Sequence, residues 1–285
     1  MENTSIRRIT PENALQTIPG IVHIFRDDAD ITPWQRYDTC LPWVTHRLAR
    51  GFYLTAAYSG AQLVGYSEWI ETRDDGEKIL YLSLMQVDSA LRSRGIGKLL
   101  LDDGEAYAKS IGATRLRTMP EDSRSYNFYQ KYGFNETDLI LKCTCPCTES
   151  GKPPQSGDFL PLTLDIVNSH TFIFGLWQSS GRYLYEAANH SHEPEHYTIK
   201  TITLPEGYLQ LRALKGESTA EVLYWSNKDP RTETVSLILA HGHAEGFKEL
   251  EFFFRTKHKP LFAAYSTKRE GEELEKVINK KGYML

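Results

Sequence analysis

The stretch Gln86-Val87-Asp88-Ser89-Ala90-Leu91-Arg92-Ser93-Arg94-Gly95-Ile96-Gly97-Lys98-Leu99-Leu100-Leu101 decides how the rest of the chain is read. An apolar run from Ile79 to Val87 enters it, two arginines and two glycines turn it, and a leucine-rich amphipathic run leaves it. The pattern is strand, loop, helix. Glycines let backbone N–H groups converge, and a helix N-terminus adds partial positive charge, so the loop suits a phosphate or pyrophosphate. Two standard phosphate loops fail on spacing. A Walker A loop would have a hydroxyl where Leu99 stands and a glycine where Arg92 stands. A dinucleotide fingerprint would have a third glycine at Leu100, and an acidic residue about twenty residues on, where this chain carries Arg115 and Arg117.

What remains is R-x-x-G-x-G, Arg92 to Gly97, which resembles the acyl-CoA pyrophosphate loop of the GNAT superfamily of N-acyltransferases. A second segment, Tyr126-Asn127-Phe128-Tyr129-Gln130-Lys131-Tyr132-Gly133-Phe134, resembles the F-Y-x-K-x-G-F helix of the same enzymes, in the same order and at the expected distance. The resemblance covers roughly residues 5 to 145.

The elements between the motifs agree with it. Ile6 to Thr10 reads as a first strand, and residues 13 to 50 as two helices with an irregular join carrying Trp34, Tyr37, Leu41, Trp43 and Leu48. Phe52 to Tyr58, Gln62 to Glu71 and Lys78 to Val87 read as a meander with turns at Ser59-Gly60 and Asp74-Asp75-Gly76. The third of these strands is apolar on both faces and is expected at the sheet centre. Ile96, Leu100, Gly104, Tyr107 and Ile111 lie at helical spacing up to the stop at Gly112. Gly104 costs a helix about 1 kcal/mol relative to Ala, so its place on the apolar stripe predicts close packing against the sheet. Ala113 to Met119 reads as a strand, a helix starts after Pro120, and Asp138 to Cys145 closes the module.

The chain has 285 residues, 40% of them hydrophobic, which suits one large domain or two of ordinary size. A formal net charge of −4 argues against nucleic-acid binding by phosphate neutralisation. The N-terminus lacks the regions of a signal peptide and no apolar run approaches the length of a membrane span, so no membrane partner and a cytoplasmic location are expected. Cys143, Cys145 and Cys147 read as reduced thiols at a strand end. The histidines of Asn189 to His196, with His241 and His243, have no diagnostic ligand spacing, and no metal is expected.

Ser150 to Gly157 is rich in breakers and marks a boundary, giving domains 1–148 and 149–285. A shift that carries Gly97 to Gly246 also carries Lys131 to Lys280, Gly133 to Gly282, Phe134 to Tyr283, and the strand Ala113–Pro120 onto Phe262–Arg269. Helical periodicity is read in Phe247, Leu250 and Phe254 and again in Leu274, Val277 and Ile278. A tandem repeat follows. Each copy is expected to be an α/β (α+β) GNAT-like domain, a mixed, mostly antiparallel sheet flanked by helices. Under the same shift Arg92, Arg94, Gly95 and Ile96 map to His241, His243, Ala244 and Glu245, and Tyr129 maps to Ile278. The second copy is therefore expected to be degenerate: to complete the acceptor pocket, stabilise the first domain or mediate dimerisation.

The resemblance implies direct attack of a primary amine on the thioester of acetyl-CoA, the co-substrate. It places backbone groups near Met85 and Val87 on the acyl and pantetheine portions, and the N–H groups of Arg92, Arg94, Gly95, Ile96, Gly97 and Lys98 on the pyrophosphate. Tyr129 matches the general acid; a phenol of pKa near 10 holds its proton where a thiol near 8.5 has begun to lose it. The family's glutamate on the fourth strand is replaced by Tyr81. Glu68 is the substitute base, with Glu71 and Asp122 as weaker candidates. Asp122 and Ser125 are expected near the cofactor. The alternative is a non-catalytic acyl-CoA sensor or scaffold.

Overall fold

The computed structural model describes residues 4–27, 33–74, 77–120, 122–149, 170–175, 197–263, 265 and 268–281. The chain divides into two compact units: residues 1–71, 78–135 and 279–285, and residues 72–77 and 136–278.

Unit 1 opens with β1 (Thr4–Ile9), α1 (Ala14–Phe25), a 3-10 turn (Pro33–Gln35) and α2 (Tyr37–Ala49). Three strands follow, β2 (Tyr53–Ser59), β3 (Gln62–Asp74) and β4 (Glu77–Val87), then α3 (Ile96–Ser110), β5 (Arg115–Thr118) and α4 (Ser123–Lys131). The sheet order is β1-β2-β3-β4-β5. β1 and β3 run antiparallel to β2, and β5 runs parallel to β4, as a strand reached through a crossover helix must. Gly104 sits where expected: a Cβ there would lie 2.2 Å from the Trp69 indole, so α3 lies against the sheet at a distance only glycine permits.

Unit 2 contains β6 (Glu136–Pro146), β7 (Thr171–Phe174), β8 (Tyr197–Leu204), β9 (Gly207–Leu214), β10 (Thr219–Ser226), α5 (Thr232–Ala244), β11 (Glu249–Arg255), a 3-10 turn (Thr256–Phe262) and most of β12 (Lys268–Lys280). The strand order is β12-β6-β11-β7-β10-β9-β8. Its core joins Leu141, Cys143 and Cys145 of β6 with Leu209, Leu211, Val222, Tyr224, Phe252 and Phe254 of the sheet and with Val235, Ile238 and Leu239 of α5.

The unit boundary falls at Asn135/Glu136, upstream of the breaker-rich segment, because β6 pairs with β11 from Ile140↔Arg255 to Pro146↔Glu249. The segment Ser150–Gly157 and the histidines from Asn189 to His196 lie outside the described residues.

The register of the expected repeat needs correcting. Phe247, Leu250 and Phe254 fall on or beside β11, and Leu274, Val277 and Ile278 fall on β12, so both expected helices are strands. His241, His243 and Ala244 form the last turn of α5, not a loop that opens a helix. Gly246, at φ +87°, stops α5 as Gly112, at φ +70°, stops α3. The succession of elements nevertheless recurs. β8, β9 and β10 form an antiparallel meander, α5 follows, and β11 returns parallel to β10. The connection that corresponds to the arginine–glycine loop is thus Asn227–Arg231, which carries Pro230 and no glycine.

Candidate active site

β4 and β5 are paired only from Ile79↔Arg115 to Leu82↔Thr118. β5 ends there, while β4 runs on to Val87 and its side chains change from buried at Ile79–Leu82 to half-buried at Ser83–Val87. On its other side β4 stays with β3: the Asp88 N–H donates to the Val64 carbonyl (3.0 Å). The strand therefore runs five residues past the end of β5. Met85 and Val87 pack against the apolar group Ala57, Val64, Ile96 and Leu100, which fixes the strand end against the start of α3.

The loop that follows is ordered by its own side chains. Asp88 accepts from the Ala90 N–H (3.0 Å) and caps a 3-10 turn, Ser89–Leu91. Arg92 folds back on the strand, its Nε donating to the Val87 carbonyl and its Nη2 to Gln86 Oε1, each at 3.2 Å. Ser93 (φ +66°) and Gly95 (φ +84°) are both left-handed, which turns the chain into α3 with Gly95 at the N-cap. The first turn of α3 carries no acidic side chain, so nothing there cancels the positive end of the helix. Arg92, Arg94, Gly95 and Lys98 are exposed, Gly97 is half-buried and Ile96 is buried. A strand end, a left-handed turn and an uncompensated 15-residue helix suit an anion held by backbone N–H groups.

α4 lies against this corner. A Cβ on Gly97 would stand 3.0 Å from Phe128 Cζ and 3.9 Å from Met85 Cε, so β4, α3 and α4 converge at Gly97. Tyr129, 7% exposed, packs edge-on to Phe128 (5.3 Å between centroids) and tilted against Phe134 (5.4 Å). Its carbonyl accepts from the N–H groups of Tyr132 and Phe134, closing the helix before Gly133. Asp122 and Ser125 form a reciprocal cap at the other end: the Ser125 N–H donates to Asp122 Oδ1 (2.7 Å) and the Asp122 N–H to Ser125 Oγ (3.0 Å). The Ser125 bonds hold the Asp122 carboxyl below the usual carboxylate range. The structure thus gives these two residues a helix-capping task that the sequence reading did not assign.

Glu68 lies in a different setting. It is 0% exposed, its Oε1 accepts from Trp34 Nε1 (2.9 Å) and Tyr66 Oη (2.8 Å), and its Oε2 accepts from Arg47 Nε. Arg47 is 1% exposed and its guanidinium lies over the rings of Trp43 (4.5 Å), Trp34 (5.2 Å) and Phe52 (5.3 Å). Burial, reinforced by the Glu68 charge, pushes the neighbouring Cys40 thiol up to about 12 and raises the Tyr66 phenol. Because β3 and β4 are joined by a short turn and Val64 bonds to Asp88, Glu68 lies near the level of Leu84, beside the half-buried end of β4. Glu71 pairs with Lys78 (2.9 Å) and is partly exposed.

Sequence reasoning missed Arg47, although a signal was present. Cys40, Val44 and Arg47 are the buried residues of α2 and are spaced i, i+4, i+7, so an arginine stands on an apolar stripe. Such a cation needs a buried anion, and Glu68 supplies it.

The comparisons agree with this geometry. Residues 19–134 match the model of the acetyltransferase (GNAT) family. Similar solved structures include a GCN5-related N-acetyltransferase from Kribbella flavida, at 11% identity and TM-score 0.57 over 97% of this chain and 70% of that one. Eis1 from Mycobacterium abscessus is similar at 12% identity and TM-score 0.58 over 98% and 73%. At such identities the likeness is one of fold. No curated protein matches by sequence. The family match and the fold together identify a GNAT acetyltransferase domain in residues 19–134.

Proposed function

We propose that unit 1 transfers an acetyl group from acetyl-CoA to a primary amine by direct attack. The observation that carries this reading is the corner at Gly97, where the free-running end of β4, the left-handed loop and α4 meet. In this reading the Ser83–Val87 backbone receives the amide-bearing pantetheine arm, and N–H groups from Arg92 to Lys98 receive the pyrophosphate. The amine nitrogen attacks the thioester carbonyl carbon, the C–S bond breaks, the departing thiolate takes the Tyr129 phenolic proton, and the proton lost by the amine nitrogen passes to water, from which the phenolate is reprotonated. Tyr129 is held on α4 directly after Phe128, the residue against Gly97, which supports that role. Glu68 enters as proton acceptor only by exchanging one of its bonds to Trp34, Tyr66 or Arg47 for a water on the amine; otherwise it anchors α2 to β3. We read unit 2 as a second copy of the same arrangement, without a glycine-bearing loop. The acceptor is a primary amine, and no nucleic-acid partner, metal or membrane partner enters the reading. Among the described residues no helix is long and apolar enough to span a membrane.

The test is thiol release from acetyl-CoA with a panel of primary amines. Turnover that falls at least tenfold in Tyr129→Phe, with acetyl-CoA affinity unchanged, supports the reading. CoA binding without turnover on any amine, and no effect of Tyr129→Phe, would establish the sensor or scaffold instead.

A further inference from the structure

In both units a parallel strand pair is joined over only a few residues. β4 and β5 stay paired for four residues, β10 and β11 for three, from Thr219↔Glu249 to Glu221↔Glu251. Beyond that point the two units differ. In unit 2 the space between β10 and β11 is filled by β7, the four residues Thr171–Phe174. β7 runs antiparallel to both neighbours. It pairs Thr171 with Ser226, Phe172 with Trp225 and Phe174 with Tyr224 on β10, and Phe174 with Phe254 on β11. The Gly175 N–H adds a bond to the Phe253 carbonyl (2.7 Å).

Side chains lock the strand in place. Phe172, Ile173 and Phe174 are 7%, 5% and 0% exposed. The Phe174 ring contacts Tyr224, Phe252 and Phe262 at 5.6 to 5.8 Å, and Phe172 lies 5.0 Å from the Trp225 ring. An extended segment with backbone bonds on both edges and two buried aromatics occupies such a slot as an added strand does, the backbone supplying affinity and the rings fixing register.

We infer that the β10/β11 divergence is a strand-accepting groove whose occupant is the chain's own Thr171–Phe174. The inference rests on the reading of the end of β4 beyond β5, in unit 1, as the acyl-CoA groove. The same topological opening is then used twice, once for an amide-bearing cofactor arm and once for a polypeptide. The pantetheine arm and a β-strand compete for the same unpaired backbone groups, so a groove filled by β7 is closed to the cofactor. The connection Asn227–Arg231, with Pro230 and without glycine, is in keeping with a copy relieved of phosphate binding. The chain therefore binds one CoA, in unit 1.

Two measurements on the full chain test this. Calorimetric titration with CoA should give one site per chain, abolished by Gly97→Glu. Two sites, or one that survives in Gly97→Glu, would overturn the assignment of the groove while leaving acyl transfer standing. Absence of any CoA binding would instead remove the function reading, and the strand is then judged alone by hydrogen exchange. Amides of Thr171–Gly175 should exchange within about tenfold of those of β10, with CoA present or not. Phe174→Ala should speed their exchange at least tenfold. Exchange at loop rates in the unaltered chain, or a change at β7 on adding CoA, would refute the groove.

Discussion

Replacing Arg47 by methionine is the sharpest probe of how unit 1 holds its site. The side-chain stem survives, but the fully enclosed Glu68 carboxylate loses the one cation that compensates it among its bonded partners, Trp34 and Tyr66 being neutral donors. Breaking a buried pair from one side costs about 3–5 kcal/mol, because the remaining charge stays buried. Contacts of the guanidinium with the Trp34, Trp43 and Phe52 rings are lost as well, each worth about 0.5–2 kcal/mol. A loss of at least about 4.5 kcal/mol is expected, or at least about 9–18 °C in Tm at about 2–4 °C per kcal/mol. Combining Arg47→Met with Glu68→Gln should recover most of it, since the double variant leaves no uncompensated charge and the introduced amide oxygen can still accept from Trp34 and Tyr66. Urea titration followed by tryptophan fluorescence reads all three variants, with Trp34 and Trp43 inside the affected cluster. The coupling between the two substitutions should come out near 3 kcal/mol. If Arg47→Met costs under 1 kcal/mol, or the double variant is less stable than either single one, the pair is not what holds α2 on β3.

Gly97→Glu should weaken CoA binding at least a hundredfold in equilibrium titration, because a side chain there meets Phe128 and adds a negative charge at the α3 N-terminus. Cys40, Cys143 and Cys145, all buried, and Cys147, whose burial lifts its thiol to about 11, should resist iodoacetamide at pH 7.5 in the native chain, as read by intact mass; rapid labelling would show these sites open. His241 is 4% exposed, burial lowers its pKa below 6.5 against a smaller opposing effect of Glu245, and its Nε2 has no bonded partner among the described residues. The unfolded chain takes up that proton more readily than the folded one, so stability falls as pH drops through and below about 6.5. His241→Leu should flatten that part of the pH–stability curve, and an unchanged slope would exclude His241 as its source. Glu68→Gln should lower stability with little change in the shape of the pH–rate profile if Glu68 is an anchor; loss of the acidic limb would mark it as the base.

Unit 1 was legible in the sequence because its signals are local. The apolar runs and turn signals that give β2, β3 and β4, the stripe from Ile96 to Ile111, and the glycines at 95, 112 and 133 each act within a few residues of themselves. Even the β4 end could be placed, since the chain runs from it directly into the loop. Pairings between distant residues were not legible. Nothing near Glu68 announces that Arg47, twenty-one residues earlier, will bury against it, and Asp122 shows its capping task only when the backbone around Ser125 is seen. A carboxylate chosen for its position on a strand was thus already engaged by groups from α2 and the 3-10 turn.

Unit 2 shows how a recurring succession of elements can be sought in the wrong register. Gly246 and Gly97 look alike in a sequence, yet one ends a helix at φ +87° and the other lies inside the first turn of one. The correct counterpart of Gly246 is Gly112, since both follow the last residues of a crossover helix and precede a strand parallel to the one before it. Matching by fold moves the comparison from His241–Glu245 to Asn227–Arg231, and the absence of glycine there is a stronger reason for a silent phosphate loop than a carboxylate at Glu245. The inserted strand β7 could not be found by any repeat search, because among the described residues unit 1 has no strand at that place in its sheet order. A copy released from binding a cofactor arm is free to satisfy the exposed edges of its diverging strands with its own backbone, and buried edges must be satisfied somehow. On that argument β7 and the lost loop are two consequences of one change, and a groove that still bound CoA would contradict both together.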